Sequence, residues 1–309
     1  MPASSAETNE SAAPVVAGSS NTLWAIRKSA RPRQWIKNLF VLVPLAFARP
    51  DGPAAVGRVL AILVAFCFAA SGLYLQNDIA DRDRDRSHPK KRHRPIAAGT
   101  LAVSTAKAWS VGLLAAALAL GVVAGWKALA LLVAYIALTA AYSAGLKHVI
   151  VLDVMMIASG FLLRVAAGAF AAGLPPSEWL LVCTGFLALF LGFGKRRQEL
   201  RVLGTDAAAH RPNLSGYTAA LLDQFLVVST TGAILAFAVY AITSPTGREH
   251  PALALGTPFV AYAMLRYLLL IQTTDLAGTP EEVLLSDRPI QIAVALWGLV
   301  CAVAVYSTS

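Results

Sequence analysis

The sequence predicts an all-α, polytopic integral membrane protein with about nine transmembrane helices. Three observations carry that expectation. Of the 309 residues, 57% are hydrophobic and only 14% charged, where soluble chains carry about 25% charge. The apolar residues gather in long runs, most of them near the ~20 residues a helix needs to cross the hydrocarbon core. Those runs are too long for barrel strands and show no apolar–polar alternation, which excludes a β-barrel.

In chain order, residues 1–22 are rich in alanine and serine and read as a disordered tail. Residues 23–309 read as a single intramembrane domain. Leu39–Ala48, with its flank from Trp35, makes the first span. Arg31, Arg33 and Lys37 before a stretch ending Ala46-Phe47-Ala48 have the outline of a signal peptide, but such a leader would be unusually long. The later spans are Val59–Tyr74, Val111–Ala124, Ala128–Ala141, Val149–Ala172, Trp179–Phe193, Leu221–Ile242, Ala252–Ile271 and Ile290–Tyr306.

Nine spans put the N-terminal segment and residues 76–107, 143–148, 194–220 and 272–289 on one side. Twenty of the 26 lysines and arginines fall there. Arg49, Arg58, Lys127 and Arg248 lie opposite, and Arg164 and Arg266 fall inside spans. Such a bias places the basic side in the cytoplasm. The expectation is an inner (cytoplasmic) membrane protein with its N-terminus inside and its C-terminus outside. The net charge of +9 is then topogenic and no argument for a nucleic-acid partner. Cys67, Cys183 and Cys301 sit in apolar spans and fit neither a metal nor a disulfide pattern.

Positive-inside bias explains bases but not acids, and Gln76–Gly99 holds four aspartates beside seven lysines and arginines. Asp78, Asp81 and Asp85 are spaced by three and four, so a continued helix stacks them on one face. Three like charges repel unless a cation sits between them. Mg²⁺ favours carboxylate and water oxygens, commonly with substrate phosphates completing its shell. Asn77 adds a neutral oxygen, while Asp83 falls off the face. Lys90, Lys91, Arg92 and Arg94 follow, suited to phosphate oxygens. The stretch reads as a Mg²⁺–diphosphate site with Asn77, Asp78, Asp81 and Asp85 as ligands. A solvated loop with incidental acids is the alternative.

Asn77-Asp78-x-x-Asp81-x-x-x-Asp85 resembles the first aspartate motif of the UbiA-type polyprenyltransferase superfamily. The resemblance implies nine helices around a central cavity, with Mg²⁺-bound diphosphate near its cytoplasmic mouth. The continuation from Asp85 through Lys90, Lys91, Arg94 and Gly99 looks most like the decaprenyl-phosphate phosphoribosyltransferase branch. Arg31-Pro32-Arg33-Gln34-Trp35-Ile36-Lys37-Asn38 resembles that branch's N-terminal signature, which puts Lys37 among the substrate-binding candidates. The implied donor is 5-phosphoribosyl 1-diphosphate, and the implied acceptor is decaprenyl or a similar polyprenyl phosphate. The implied product serves the arabinose donor for cell-wall arabinan.

Usual relatives carry a second aspartate-rich motif after the sixth helix. Here Gly194-Lys195-Arg196-Arg197-Gln198-Glu199 stands in its place, a departure that suits phosphate oxygens better than a second metal. Lys195 and Arg197 are expected to orient phosphates, with Arg196 and Glu199 beside them. A plain positive-inside anchor is the alternative. Tyr142 and Lys147 end the fourth span, and Asp153 opens the fifth, so all three turn toward the same mouth. Asp153 and Arg164 are eleven apart and share a helix face; intramembrane charges usually face a cavity, the alternative being a structural pair. Arg266, Tyr267 and Asp287 are lesser candidates.

The expected mechanism has Asp78 and Asp81 serving the metal, while Lys147, Lys195 and Arg197 position phosphates. A prenyltransferase moving a polyprenyl group from its diphosphate to an aromatic acceptor is one rival. A transporter with a cytoplasmic anion gate is the other, and no inverted repeat is evident for it. The lipid bilayer is the expected surrounding, and a homo-oligomer stays open.

Overall fold

The structure is a computed structural model that describes residues 19–50, 52–89, 91–203, 214, 216–273, 283 and 286–306. Most of the tail expected over 1–22 lies outside the described residues, and the described chain opens with helix α1 at Ser19–Ala30. Eight helical segments among the described residues are long and apolar enough to cross a membrane. They run through α2 (Gly52–Ala80), α4 (Val103–Ala124), α5 (Trp126–Ala144), α6 (Leu152–Ala171), α7 (Glu178–Leu203), α8 (Ala219–Thr243), α10 (Thr257–Thr273) and α11 (Arg288–Tyr306). Short helices α3 (Arg82–Ser87) and α9 (Pro245–Glu249) lie between them. No strand occurs among the described residues. The chain is a multi-pass helical membrane protein.

The first expected span takes a different form. Pro32–Ala46 is a 3₁₀ helix of 15 residues. At about 2.0 Å per residue such a segment reaches ~30 Å, the thickness of the hydrocarbon core. An α-helix of that length would stop well short. The segment runs from beside Asp78, near Arg31, to beside Tyr306, which donates a hydrogen bond to the Leu45 carbonyl at 2.6 Å. Pro44 lies inside it and supplies no N–H.

Local chemistry sets the helix ends. Gly125 closes α4 and opens α5 at φ 106°, a turn that a residue with a Cβ rarely makes. The Thr218 hydroxyl accepts the Leu221 N–H at the start of α8, and the Asp287 carboxylate accepts the Ile290 N–H at the start of α11. The bundle packs around α6, whose apolar window is 61% buried against 17% for α5. Small residues on α6 allow close approach, as between membrane helices generally. At Gly168 a Cβ would overlap the Val41 carbonyl of the 3₁₀ segment. Two apolar grooves open among exposed side chains, one beside Trp109 and Leu113, the other beside Tyr262 and Ile292. The charged clusters lie elsewhere.

The Gly168 contact yields a direct test. Gly168→Val should push the 3₁₀ segment off α6 and destabilise the protein by about 1–3 kcal/mol, the usual cost of overpacking. Gly57→Val, at a position with open space around it, should cost less. Equal melting temperatures for the two variants in detergent would contradict this packing.

Candidate functional site at the charged end of the bundle

The chain alternates direction, so the C-terminal ends of α2, α5, α7 and α10 and the N-terminal ends of α4, α6, α8 and α11 share one end of the bundle. Two ionic clusters form there.

The first lies where α2 passes into α3. Helical bonding continues across the junction, with the Asp81 N–H donating to the Asn77 carbonyl at 2.9 Å and the Asp85 N–H to the Asp81 carbonyl at 2.8 Å. Asp78 and Asp85 turn inward and are buried, at 1% and 2% exposure. Asp81 is partly exposed, with Arg84 Nη1 4.0 Å away, and Asn77 is likewise half-buried. The expected carboxylate face is therefore split. Instead of three converging acids, Arg94 Nη1 bridges Asp85 Oδ2 at 2.7 Å and Asp78 Oδ1 at 3.1 Å. Arg31 Nη2 donates to Asp78 Oδ1 at 2.5 Å. No cluster of three metal-ligating side chains occurs among the described residues. Asp78 Oδ2 is buried and lacks a hydrogen-bond partner among them. An orphaned carboxylate oxygen near a second buried acid fits a hard divalent cation, so these donors suit Mg²⁺. Asp83 is 85% exposed and pairs with Arg82 and Arg86, away from these acids. Lys91 is half-buried and donates its backbone N–H to His88 Nδ1 at 3.3 Å; Lys90 lies outside the described residues.

The second cluster joins α6, α7 and α8. Arg196 Nε donates to Asp153 Oδ2 at 2.8 Å, and its Nη1 to Glu199 Oε2 at 2.7 Å. Arg196 is 1% exposed and Asp153 is fully buried. Tyr217 completes the group: its hydroxyl donates to Asp153 Oδ1 at 2.9 Å and accepts the Val151 N–H at 2.6 Å. Val151 sits at φ 67°, which is costly for a β-branched residue. The Tyr217 hydroxyl satisfies the amide that this turn aims at it. Burial pushes the Tyr217 hydroxyl up to about 12, with the Asp153 hydrogen bond and charge acting the same way against the Val151 amide. Arg197 forks onto Asp223 of α8, at 2.8 and 3.4 Å. Lys195 is half-buried beside them, and Tyr142 lies within electrostatic reach of Arg196. Lys147 is half-buried in the short turn that follows α5.

Asp153 and Arg164 have separate partners. Deeper in the bundle, Arg164 donates to Asn38 Oδ1 at 2.7 Å, the Gly160 carbonyl at 2.8 Å and the Tyr135 hydroxyl at 3.0 Å. The rings of Tyr135, Phe161 and Phe66 stand 4.4, 5.5 and 5.6 Å from its guanidinium carbon, which suits a desolvated cation. It ties the 3₁₀ segment to α5 and α6. Lys37 lies next to Asn38 on that segment, half-buried. Arg266 pairs with Asp287 at 3.0 Å, and Tyr267 packs edge-on against Phe190. Burial works against the charge on Asp287, but the hydrogen bonds from Arg266 and Ile290 outweigh it and hold its carboxyl below the usual range.

Sequence reasoning did not single out Arg31, Tyr135, Tyr217 or Asp223 as site residues. The signal for Arg31 and Asp223 is charge at a span's edge. The tyrosines carry none that separates them from ordinary core aromatics.

The profile of the UbiA prenyltransferase family matches residues 38–282. A decaprenyl-phosphate phosphoribosyltransferase of Mycolicibacterium smegmatis is 38% identical, over 96% of this chain and 98% of that protein. One of the same name from Corynebacterium glutamicum is 35% identical, over 90% of this chain and 86% of that protein. Among solved structures, a UbiA homologue from Archaeoglobus fulgidus bound to DMAPP and Mg²⁺ aligns with a TM-score of 0.71. It covers 92% of this chain and 100% of that one at 20% identity, a likeness of fold.

The buried pair in the second cluster should behave as a coupled unit. Arg196→Ala should cost about 3–5 kcal/mol by leaving the Asp153 carboxylate buried without a counter-charge, and Asp153→Ala should cost less, because Glu199 still pairs with Arg196. The double variant should lose less than the sum, and additive losses in detergent melts would refute the coupling. The Tyr217 hydroxyl ionises near 12 here, against about 10 in an unfolded chain. Its contribution is therefore full below pH about 10 and fades as pH rises through about 12; Tyr217→Phe should remove that alkaline dependence.

Proposed function

The chain belongs to the UbiA prenyltransferase family, and on that premise we propose that it moves 5-phosphoribose from 5-phosphoribosyl 1-diphosphate to decaprenyl phosphate or a similar polyprenyl phosphate. The products are polyprenylphosphoryl-5-phosphoribose and diphosphate, a step toward the arabinose donor for cell-wall arabinan. The observation that carries this reading is the 38% identity with the Mycolicibacterium smegmatis protein across almost the full length of both chains. The Lys195-Arg196-Arg197 run supports it, because fixed cations at the charged end suit a donor and an acceptor that both carry phosphate.

The chemistry asks little of a general base. The attacking oxygen of the lipid phosphate is already an anion. It forms a bond to the anomeric carbon on the face opposite the diphosphate, whose own bond to that carbon breaks. Mg²⁺, held by Asn77, Asp78, Asp81 and Asp85, would neutralise the departing diphosphate. The protein's own part is positioning and charge stabilisation. Lys147, Lys195 and Tyr142 orient phosphate oxygens. Lys37, Lys90, Lys91 and Arg94 serve as cations for the donor's phosphate oxygens. Arg196 and Arg197, anchored by Asp153, Glu199 and Asp223, supply a fixed positive field. Arg164 braces the span that carries Lys37. The charged end faces the cytoplasm of an inner membrane, where a soluble phosphosugar donor is at hand.

Purified protein given radiolabelled 5-phosphoribosyl 1-diphosphate and decaprenyl phosphate should form a labelled lipid. Asp81→Asn, at a partly exposed position, should cut kcat/KM by about 100-fold or more, the scale of lost transition-state charge stabilisation. Excess EDTA should do the same. A wild type that ignores the phosphosugar and prenylates an aromatic acceptor instead would overturn the substrate assignment.

Cysteine labelling in sealed vesicles tests the orientation. Single cysteines at Arg92 and at Val202, which is exposed at the end of α7, should react only from the cytoplasmic face, and one at Glu249 only from outside. Labelling of the first two on opposite faces would break the shared mouth.

A further inference from the structure

Arg31 joins α1 to the 3₁₀ segment at φ 53° and ψ 57°, a left-handed conformation that is costly for a residue with a Cβ. The turn lays its guanidinium over the Tyr74 ring, 4.9 Å from the centroid, and sets Nη2 against Asp78 Oδ1 at 2.5 Å. Arg94 approaches the same oxygen at 3.1 Å and also holds Asp85. The acids lie beneath, with side chains 1% and 3% exposed, while the Arg31 and Arg94 side chains keep 30% and 28%. Asp78 is thus unevenly served. Oδ1 carries two cations, while Oδ2 is buried with no partner among the described residues. A divalent cation drawn to Oδ2 would meet two guanidiniums at the same carboxylate, and like charges that close repel strongly.

We propose that Arg31 and Arg94 are stand-in cations. They hold Asp78 and Asp85 while the donor site is empty, and yield them to the divalent ion that enters with the diphosphate. Their freed N–H groups then turn onto diphosphate oxygens, for which the planar guanidinium fork is well shaped. Tyr74 is the pivot that keeps Arg31 at the rim during the exchange. This makes Arg31 a donor-binding residue outside the aspartate motif and the basic run. The identity of the diphosphate rests on the phosphoribosyl-transfer reading, whereas the exchange of cations does not.

Competition has a measurable sign. A metal whose site is mostly held by an internal cation binds more weakly by the fraction of time the site is free. Mn²⁺ binding to the full-length protein in detergent, followed by electron paramagnetic resonance without substrate, reads that fraction. Arg31→Gln and Arg94→Gln should each lower the Mn²⁺ Kd, by about 5- to 150-fold if the coupling is of ordinary size. The same variants should show a higher KM for 5-phosphoribosyl 1-diphosphate. Arg31→Lys keeps the charge but loses the fork, so it should leave Mn²⁺ affinity near wild type and still raise KM. A purely structural role predicts the reverse, a loosened site that binds Mn²⁺ more weakly. Unchanged or weakened Mn²⁺ binding in the glutamine variants overturns the proposal, and Arg94→Gln decides alone if Arg31→Gln does not fold. A tighter Mn²⁺ Kd in an enzyme that ignores the phosphosugar would leave the exchange standing and remove only the substrate assignment.

Discussion

The ion pair between Arg196 and Asp153 is the interaction on which the charged end of the bundle depends. Its partners come from α7 and α6, meet at 2.8 Å, and are all but sealed from solvent. Neither charge could stay there alone, because desolvating an ion costs several kcal/mol unless a partner and further hydrogen bonds compensate. The pair therefore recruits Glu199 and Tyr217, and Tyr217 in turn steadies the turn at Val151. A row of bases that would otherwise repel one another and drift outward becomes a rigid floor.

The same constraint recurs at two other depths with different solutions. Arg164 has three neutral oxygen acceptors and a surround of aromatic rings. Low-dielectric surroundings strengthen each of those contacts, so a structural brace survives inside the bundle on neutral acceptors. At the α2–α3 junction the solution is exchangeable instead. Arg31 and Arg94 remain partly exposed beside buried acids. The graded exposure, from Arg196 through Arg164 to Arg94, separates fixed cations from those with room to move.

Much of the architecture was legible because a bilayer imposes a crude length rule. Eight apolar runs became eight long helical segments, with bounds that overlap the expected ones. The first expected span coincides with the Pro32–Ala46 segment, which is not among those eight and whose geometry was not foreseen. Nothing in Pro32–Ala46 announces a 3₁₀ helix; the form goes with a short span packed on Gly168, and that is tertiary information. The aspartate spacing marked a real cluster, but helical periodicity could not show that Arg94 would bridge Asp78 to Asp85. Likewise Asp153 and Arg164 do lie on one helix. Their eleven-residue separation spans about 16 Å of helix, more than side chains can close, so each met a residue distant in sequence. Partners such as Tyr217 and Asp223 were illegible for the same reason, since long-range pairing leaves no local pattern.

The seam between the 3₁₀ segment and α11 bears on how the molecule is assembled. The Tyr306 hydroxyl bonds the Leu45 carbonyl at 2.6 Å, and the Arg49 guanidinium bonds the Tyr306 carbonyl at 2.7 Å beneath a cation–π contact. These contacts join residues more than 250 positions apart. During synthesis the first span enters the bilayer long before α11 exists, at about 5–20 residues per second. For that interval it has no Tyr306 to close its far end. The seam closes only once α11 has been made, so the native contact of the first span waits on a segment more than 250 residues downstream.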